Sequence, residues 1–386
     1  MRVLGLMSGT SADGIDAVLA DFQGPCHRPR WRLLKASSQR YPPELQQRIV
    51  AVGQGEPQAA QELLNLAEAI TELQAVAAQR CDPDGQAELI GCHGQTVWHR
   101  PPSTDAAGGV QRGASWQMLQ APLLAGLLQR PVIHDFRAAD LALGGQGAPL
   151  VPMADAALLG RGNGWRAMLN LGGIANLTLI PPVRGPDRDA AVMGWDCGPA
   201  NTLIDLAMVQ FSDGRERLDR DGRCAAMGTV DEKVLRQWLE EPYLHQPPPK
   251  STGREQFGRQ DLQRRLLDLQ RHTPADCIAT LTAFSAAAVA QELDLLVERG
   301  TPRPYDLVVA GGGCRNPSLL RELERRCRGL RVRCSDDLAL PSDSREALVF
   351  ALLAWWHHRG HPGNAPSVTG ALKPSVLGTR APVPGR

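Results

Sequence analysis

Little in this chain places it quickly. Its 386 residues carry 42 Lys and Arg against 41 Asp and Glu, a formal charge of +1, so no field gathers nucleic acid and none is expected as a partner. Nine cysteines lie dispersed, with no C-x-x-C pair and no His cluster at zinc spacing, which argues against a disulfide framework and a structural metal site. No apolar run approaches the roughly 18 residues that span a bilayer. Met1 leads directly into a strand and not into a secretory leader. A cytoplasmic protein with no membrane partner is therefore expected. The Walker arrangement of strand, Gly-rich loop and Lys opening a helix is also missing. An apolar content of 43% with 22% charged residues excludes a disordered chain, and the length suggests two or three domains, each able to bury a core.

What is present begins at residues 5–22, GLMSGTSADGIDAVLADF. An apolar strand enters a turn of Gly and hydroxyl residues and returns as a second strand. Such a turn leaves backbone N–H groups converging on one concavity, where they bind an anion without a basic side chain. Gly9, Thr10 and Ser11 would supply those donors. A tight surface hairpin, with Gly9 and Gly14 placed for positive φ, is the plainer alternative.

Residues 3–6, 17–22 and 31–36 read as an antiparallel meander. Helices at 42–52 and 59–78 follow, the second with Leu63, Leu64, Ala67, Ile70, Leu73 and Val76 on a helical period. A short buried strand at 88–92 ends at His93-Gly94-Gln95-Thr96. A helix at 120–129 and a strand at 132–134 lead to the loop Gly144-Gly145-Gln146-Gly147. The pattern then restarts: strand 166–171, turn Gly172-Gly173, strand 176–180. A Gly-turn hairpin opening each half is what two similar domains facing a common cleft would produce. Helices dominate from Ala200 onward, a strand at 307–310 runs into Gly311-Gly312-Gly313 and the helix 317–327, and a last helix covers 344–357. The Pro- and Gly-rich stretch from 360 onward has little pattern and is expected over the surface.

Four further clusters carry chemistry. In GWDCGPAN, residues 194–201, an apolar approach delivers the lone carboxylate Asp196 to a Gly-Pro turn, where it would serve as a general base, or where it or Asn201 would cap a helix. In DLVVAGGGCRNP, residues 306–317, three glycines allow flat approach of a nucleoside at a helix N-terminus, or form a flexible connection. Asp135-Phe136-Arg137 with Asp140 would hold a polar ligand or a structural ion pair. Lys250 and Arg254, in KSTGRE, would touch phosphate or a carboxylate, although an isolated run of this kind is more often a solvated loop.

Taken in order, these segments resemble the anhydro-N-acetylmuramic acid kinases, within the superfamily of sugar kinases, heat-shock ATPases and actin. GLMSGTSADGID resembles the first phosphate motif, GCHGQTVWHRP and VIHDFRAADLALGGQGAPLVP the middle blocks, and LNLGGIANLT the second hairpin. GWDCGPANTLID resembles the catalytic block, KSTGREQFG a late loop, DLVVAGGGCRNP the adenosine motif, and SREAL the closing acidic block. The resemblance implies an α/β protein of two actin-like, ribonuclease H-like domains, each a mixed sheet flanked by helices, facing a central cleft. Residues 1–134 with 346–386 would form one domain and 135–345 the other.

By the same resemblance, ATP, Mg²⁺ and water act on 1,6-anhydro-N-acetylmuramic acid to give N-acetylmuramic acid 6-phosphate and ADP, in cell-wall recycling. Asp196 would activate the water. ATP would lie against Gly9, Thr10, Ser11, Ala12, Asp13, Gly14, Ile15 and Asp16, against Gly172 and Gly173, and against Gly311, Gly312, Gly313 and Asn316. The sugar would meet His93, Gln95, Thr96, Asp135, Arg137, Asn201 and Glu346. Met7 stands where many superfamily members carry an acid, so Asp13 or Asp16 would hold the metal's waters. Cys197 and Ala200 stand where the motif usually has Thr and Gly. A homodimer is expected from the resemblance. Another sugar or acyl kinase of the same fold, or a nucleotide-binding regulator, remain the alternatives.

Overall fold

The computed structural model describes all residues except Thr10, Ser11, 105–108, Pro249, Arg254 and Arg386. The chain divides into two units, Met1–Leu159 with Ser344–Arg386, and Gly160–Asp343.

In the first unit β1 (Arg2–Ser8), β2 (Gly14–Gln23) and β3 (Arg30–Arg40) form the expected meander. β4 (Leu89–Arg100) pairs parallel to β1. The chain then forms the two-residue strands β5 (Ser103–Thr104) and β6 (Val110–Gln111), β7 (Ala114–Met118) against the far end of β4, and β8 (Val132–His134) parallel to β4. The order is therefore β3-β2-β1-β4-β8, closed by the edge strand Thr379–Ala381 antiparallel to β8. That last strand corrects the expectation for the C-terminal stretch, whose ladder partner lies about 245 residues upstream and leaves no local pattern.

Period-two alternation sorts the strands by face. Leu4 and Leu6 of β1 and Ile90 and Cys92 of β4 pack with the helix Ala60–Cys81. That helix turns Leu66 and Ile70 inward and leaves Leu64 and Val76 exposed, so its buried stripe is rotated from the one read in sequence. The opposite face carries Gly5, Gly91 and His93 and receives the helix Arg345–His358, buried from Ala347 to Trp356. Its backbone sits directly on the sheet: a Cβ at Gly5 would collide with the Ala347 carbonyl, and one at Gly91 with that of Phe350.

The boundary between units falls later than 134/135 because the helices Ala138–Ala142 and Val151–Leu159 belong with the first sheet. Asp155, fully buried, accepts both N–H groups of Arg345 at 3.0 and 2.7 Å. Asp135 and Arg137 consequently belong to the same unit as His93.

The second unit repeats the order. β9 (Arg166–Leu171), β10 (Ile174–Ile180) and β11 (Met193–Pro199) form an antiparallel meander, with β12 (Asp306–Ala310) and β13 (Arg331–Cys334) added parallel to β9. The result is β11-β10-β9-β12-β13, the ribonuclease H-like order of the first sheet, so the doubling read from the two Gly turns is real at the level of topology. The apolar approach to Asp196 is itself a strand, which the sequence reading left unassigned. Leu169, Leu177, Trp195 and Leu307 pack against Ala286, Val289 and Leu293 of the helix Pro274–Glu298. Contrary to the reading of the sequence, that helix is, among the described residues, one long and apolar enough to cross a membrane by length and composition. Its apolarity is accounted for by position, since 78% of its most apolar window is buried in the unit.

Candidate active site

At the turn between β1 and β2, Ala12 takes a positive φ of 52° and its N–H donates back to the Gly9 carbonyl at 3.1 Å, so that donor closes the turn. Thr10 and Ser11 lie outside the described residues. Gln95, fully buried, donates to the Gly9 carbonyl at 3.0 Å and the Thr96 carbonyl at 3.1 Å, and its oxygen accepts from Ser8. With both N–H groups donated and one lone pair of its oxygen taken, Gln95 holds the turn. Ile15 is packed in the core and a Cβ at Gly14 would collide with the Gln39 carbonyl, so both frame the hairpin. The two carboxylates behind the turn differ. Asp13 is exposed with Gln46 donating at 3.2 Å, whereas Asp16 is half-buried, with Ser38 donating to Oδ1. Burial raises the Asp16 carboxyl above its ordinary value and the Ser38 bond opposes the rise.

His93, buried on β4, lies 4.6 Å from the Phe350 ring between centroids. Its Nδ1 is 2.9 Å from the Gly94 carbonyl, which makes Nδ1 the donor and leaves Nε2 to accept from Arg137 Nε at 3.2 Å. Burial, with Arg137 adding to it, holds the imidazole well below its usual pKa. Arg137 also donates to the Gly147 carbonyl at 2.6 Å, and the charges of Glu346 and Asp140 support it against desolvation. His93, Arg137 and Glu346 thus form one set within the first unit. Asp135, at φ 56°, adjoins it, while Thr96 accepts from Gln117 at 3.1 Å.

Asp196 sits on β11 opposite Asn176 of β10. Asn176 donates to one carboxylate oxygen at 2.8 Å and the Thr252 N–H to the other at 3.0 Å. Asn176 and Thr252 were not read as site residues; the first is visible only through cross-strand register, the second only through a loop contact. The surrounding frame is rigid. The Tyr243 hydroxyl donates to the Asp196 carbonyl at 2.8 Å, and the Asp196 N–H to that of Lys250 at 3.1 Å. Glu292 on the long helix accepts from Trp195 at 3.1 Å and from Lys250, so it grips the residue before Asp196 and the strap beside it. Lys250 is therefore buried in an ion pair, neither solvated nor free for phosphate. Burial raises the Asp196 carboxyl, the bonds from Asn176 and Thr252 oppose this, and the charge of Glu255 adds to the rise. A half-buried, oriented carboxylate whose proton affinity is raised by burial suits a general base. The capping alternative is excluded: the helix Thr202–Phe211 begins after Asn201 with no side-chain cap.

Beside this carboxylate's strand, the second unit holds a cavity of about 720 Å³, within the range that accepts a nucleotide. Gly172, Gly173, Gly312 and Asn316, read as nucleotide contacts, line it, and Asn201, expected at the sugar, lines it too. Asn201 Nδ2 donates to the carbonyls of Leu171 and Gly172 at 3.0 and 2.7 Å, binding the β9–β10 turn to the helix start. Thr202, on the same wall, keeps its Oγ1 buried with no hydrogen-bond partner. The three glycines have separate duties. Gly312 is open to the cavity, Gly311 supplies a φ of 85°, and a Cβ at Gly313 would press on Leu171 at 2.5 Å. Asn316 caps the helix Pro317–Arg326, accepting from Ser318 and Leu319 N–H groups at 3.0 Å each. Ile204, Leu206, Arg220 and Arg259 also line the cavity and were missed, because helix spacing alone does not say which face meets a ligand.

The family model of anhydro-N-acetylmuramic acid kinase matches residues 1–383. The chain belongs to this family. Among curated members, the anhydro-N-acetylmuramic acid kinase of Synechococcus sp. (strain CC9311) is 67% identical, over 98% of this chain and 99% of the relative. That of Prochlorococcus marinus (strain MIT 9211) is 54% identical, over 98% and 99%. Among solved structures, xylulose kinase from Rhodospirillum rubrum is 12% identical with a TM-score of 0.45, over 93% of this chain and 90% of that one.

The two departures from the anhydro-N-acetylmuramic acid kinase pattern are absorbed by packing. Cys197 and Ala200 are both fully buried in the core of the second sheet. Ala200 is not among the positive-φ residues, and its backbone makes the bonds the turn needs, N–H to the Gly173 carbonyl at 2.9 Å and carbonyl from Ser285 at 2.7 Å. Its methyl group therefore fits without strain.

Proposed function

We propose that this chain is an ATP-dependent kinase that hydrolytically opens 1,6-anhydro-N-acetylmuramic acid and phosphorylates O6, giving N-acetylmuramic acid 6-phosphate and ADP in peptidoglycan recycling. The observation that carries this reading is the Asp196 carboxylate, with both oxygens oriented by Asn176 and Thr252 and its affinity for a proton raised by burial. Asp196 takes a proton from water. The water oxygen bonds to C1 as the C1–O6 bond breaks, and the freed O6 attacks the γ-phosphorus of ATP while ADP leaves. His93, Arg137 and Glu346 serve the sugar, and the 720 Å³ cavity serves the nucleoside.

Mg²⁺ fits the donor set. Among the described residues no three His, Cys, Asp or Glu side chains form a dedicated cage, and Mg²⁺ usually keeps waters and phosphate oxygens with one or two carboxylates. Asp13 and Asp16 would hold its waters, and the ion would offset charge on the transferred phosphoryl group. Asp16→Asn or Asp13→Asn is expected to raise the half-saturating Mg²⁺ concentration about 10-fold. An unchanged Mg²⁺ titration in both variants reassigns the ion's site.

The reading is tested by product mass after a short incubation with ATP, Mg²⁺ and the anhydro sugar, in ordinary and ¹⁸O water. Gain of a phosphate and one solvent oxygen is expected, with preformed product as the exchange control. Phosphate gained without solvent oxygen indicates an ordinary sugar kinase, and unchanged sugar rejects the proposed activity.

A further inference from the structure

The segment after the last helix has no periodicity, yet its polar groups end in the interior of the first unit. Asn364, Thr369 and Asp140 are respectively 2%, 1% and 0% exposed. Asn364 Nδ2 and Thr369 Oγ1 both donate to one oxygen of Asp140 at 2.7 Å. The other oxygen accepts the Gly147 N–H at 2.8 Å. Gly147 in turn accepts Arg137 Nη1 on its carbonyl at 2.6 Å, and Arg137 Nε reaches His93 at 3.2 Å. A parallel staple runs from the Gln146 N–H to the Thr369 carbonyl at 2.9 Å. Three of the four links between Thr369 and His93 are 2.8 Å or shorter, and all four involve groups that are at least half-buried, so the path transmits displacement more readily than it absorbs it.

We propose that Asp140, fixed by Asn364 and Thr369, is the positioning group that sets Arg137 for the sugar, which makes residues 364–369 a working part of the substrate-binding side. The inference rests on the reading above that Arg137 and His93 serve the sugar. The geometry is specific in one respect: a carboxylate at 140 takes two side-chain donors on one oxygen and a backbone donor on the other, so it fixes the height of the Gly147 peptide. The Arg137 guanidinium holds the carbonyl of the next peptide, 147–148, across the Gly147 Cα. Removing one donor lets Asp140 rotate, and the peptide and guanidinium follow.

Thr369→Val keeps the shape and removes the hydroxyl, whereas Thr369→Ser keeps the hydroxyl. Thr369→Val is expected to raise KM for the anhydro sugar about 10-fold or more, with KM for ATP within about twofold of wild type, and Thr369→Ser is expected to restore wild-type behaviour. A folded Thr369→Val enzyme with normal sugar KM and only a lowered Tm overturns the proposal, as does a Ser variant as impaired as the Val variant. Should Thr369→Val not fold, Asn364→Ala removes the other donor to the same oxygen and is read by the same split. A wild-type enzyme that leaves the anhydro sugar untouched instead overturns the underlying functional reading.

Discussion

Replacing Asp196 by Asn is expected to lower turnover by roughly 10³-fold, the usual contribution of a positioned general base, while ATP affinity stays within about threefold. The substitution preserves size and leaves the cavity proposed for the nucleoside lined as before, because Asp196 is not among its lining residues. It does alter one bond. The Asn176 amide and the Thr252 N–H both donate to the carboxylate at 2.8 and 3.0 Å, and an Asn side chain can accept only one of them while facing the other with its own N–H. One half-buried donor then faces an N–H unless the Asn176 amide turns over, at a cost of about 1 kcal/mol in stability. Melting should therefore be followed alongside single-turnover phosphorylation, and near-normal turnover in the variant would reassign the base.

The same carboxylate fixes the sign of the pH dependence. Its base form is the ionised one, and burial raises its pKa despite the two donors. Sugar turnover is thus complete above that raised pKa and is lost as pH falls through it, with the acid limb displaced upward from an ordinary aspartate. Glu255→Gln removes a charge that contributes to the rise, so the limb should move to lower pH in that variant. The limb should vanish from whatever rate remains in the Asn variant.

What was legible in the sequence was whatever is written locally. The two Gly-turn hairpins, the GGG strand end and the lone Asp in GWDCGP all declare themselves within a dozen residues, and the sheets they belong to follow from the doubled pattern. The misses share a different cause. Lys250 looked solvated because its partner, Glu292, lies on a helix 42 positions away. Gln95 was read only as a sugar contact because nothing near it in sequence reveals that Gly9 and Ser8 also engage its amide. Asp196 was visible but Asn176 was not, because the register that puts one opposite the other depends on a shift in the β10–β11 pairing. The tail after residue 360 has no period at all, since it is ordered by single bonds to Asp140 and by an edge strand on β8. Local chemistry thus identifies the actors, while long-range contacts decide whether each faces a ligand or the frame.

Gly91→Ala is expected to be among the most damaging single-methyl changes in the first unit. Gly91 lies on β4 two residues before His93 and on the same face, where the helix Arg345–His358 rests its backbone on the sheet. An added Cβ would meet the Phe350 carbonyl within contact distance and Ala354 Cβ at 2.7 Å. A backbone carbonyl cannot change rotamer, so the helix must lift. The cost should reach at least the upper end for an overpacked core, about 3 kcal/mol, or roughly 6–12 °C in Tm for a unit of this size. Gly126→Ala provides the control, because Gly126 lies within the helix Ala121–Leu128 and its nearest obstacle is Pro384 at 3.7 Å. The same methyl there should be neutral or stabilise by up to ~1 kcal/mol. Lifting the helix also moves Glu346 in its first turn and Phe350 beneath His93, so the folded fraction of Gly91→Ala should bind the sugar more weakly while its nucleotide cavity, built entirely in the other unit, keeps its affinity. Equal melting of the Gly91 and Gly126 variants would show that the helix does not rest on the sheet at this point.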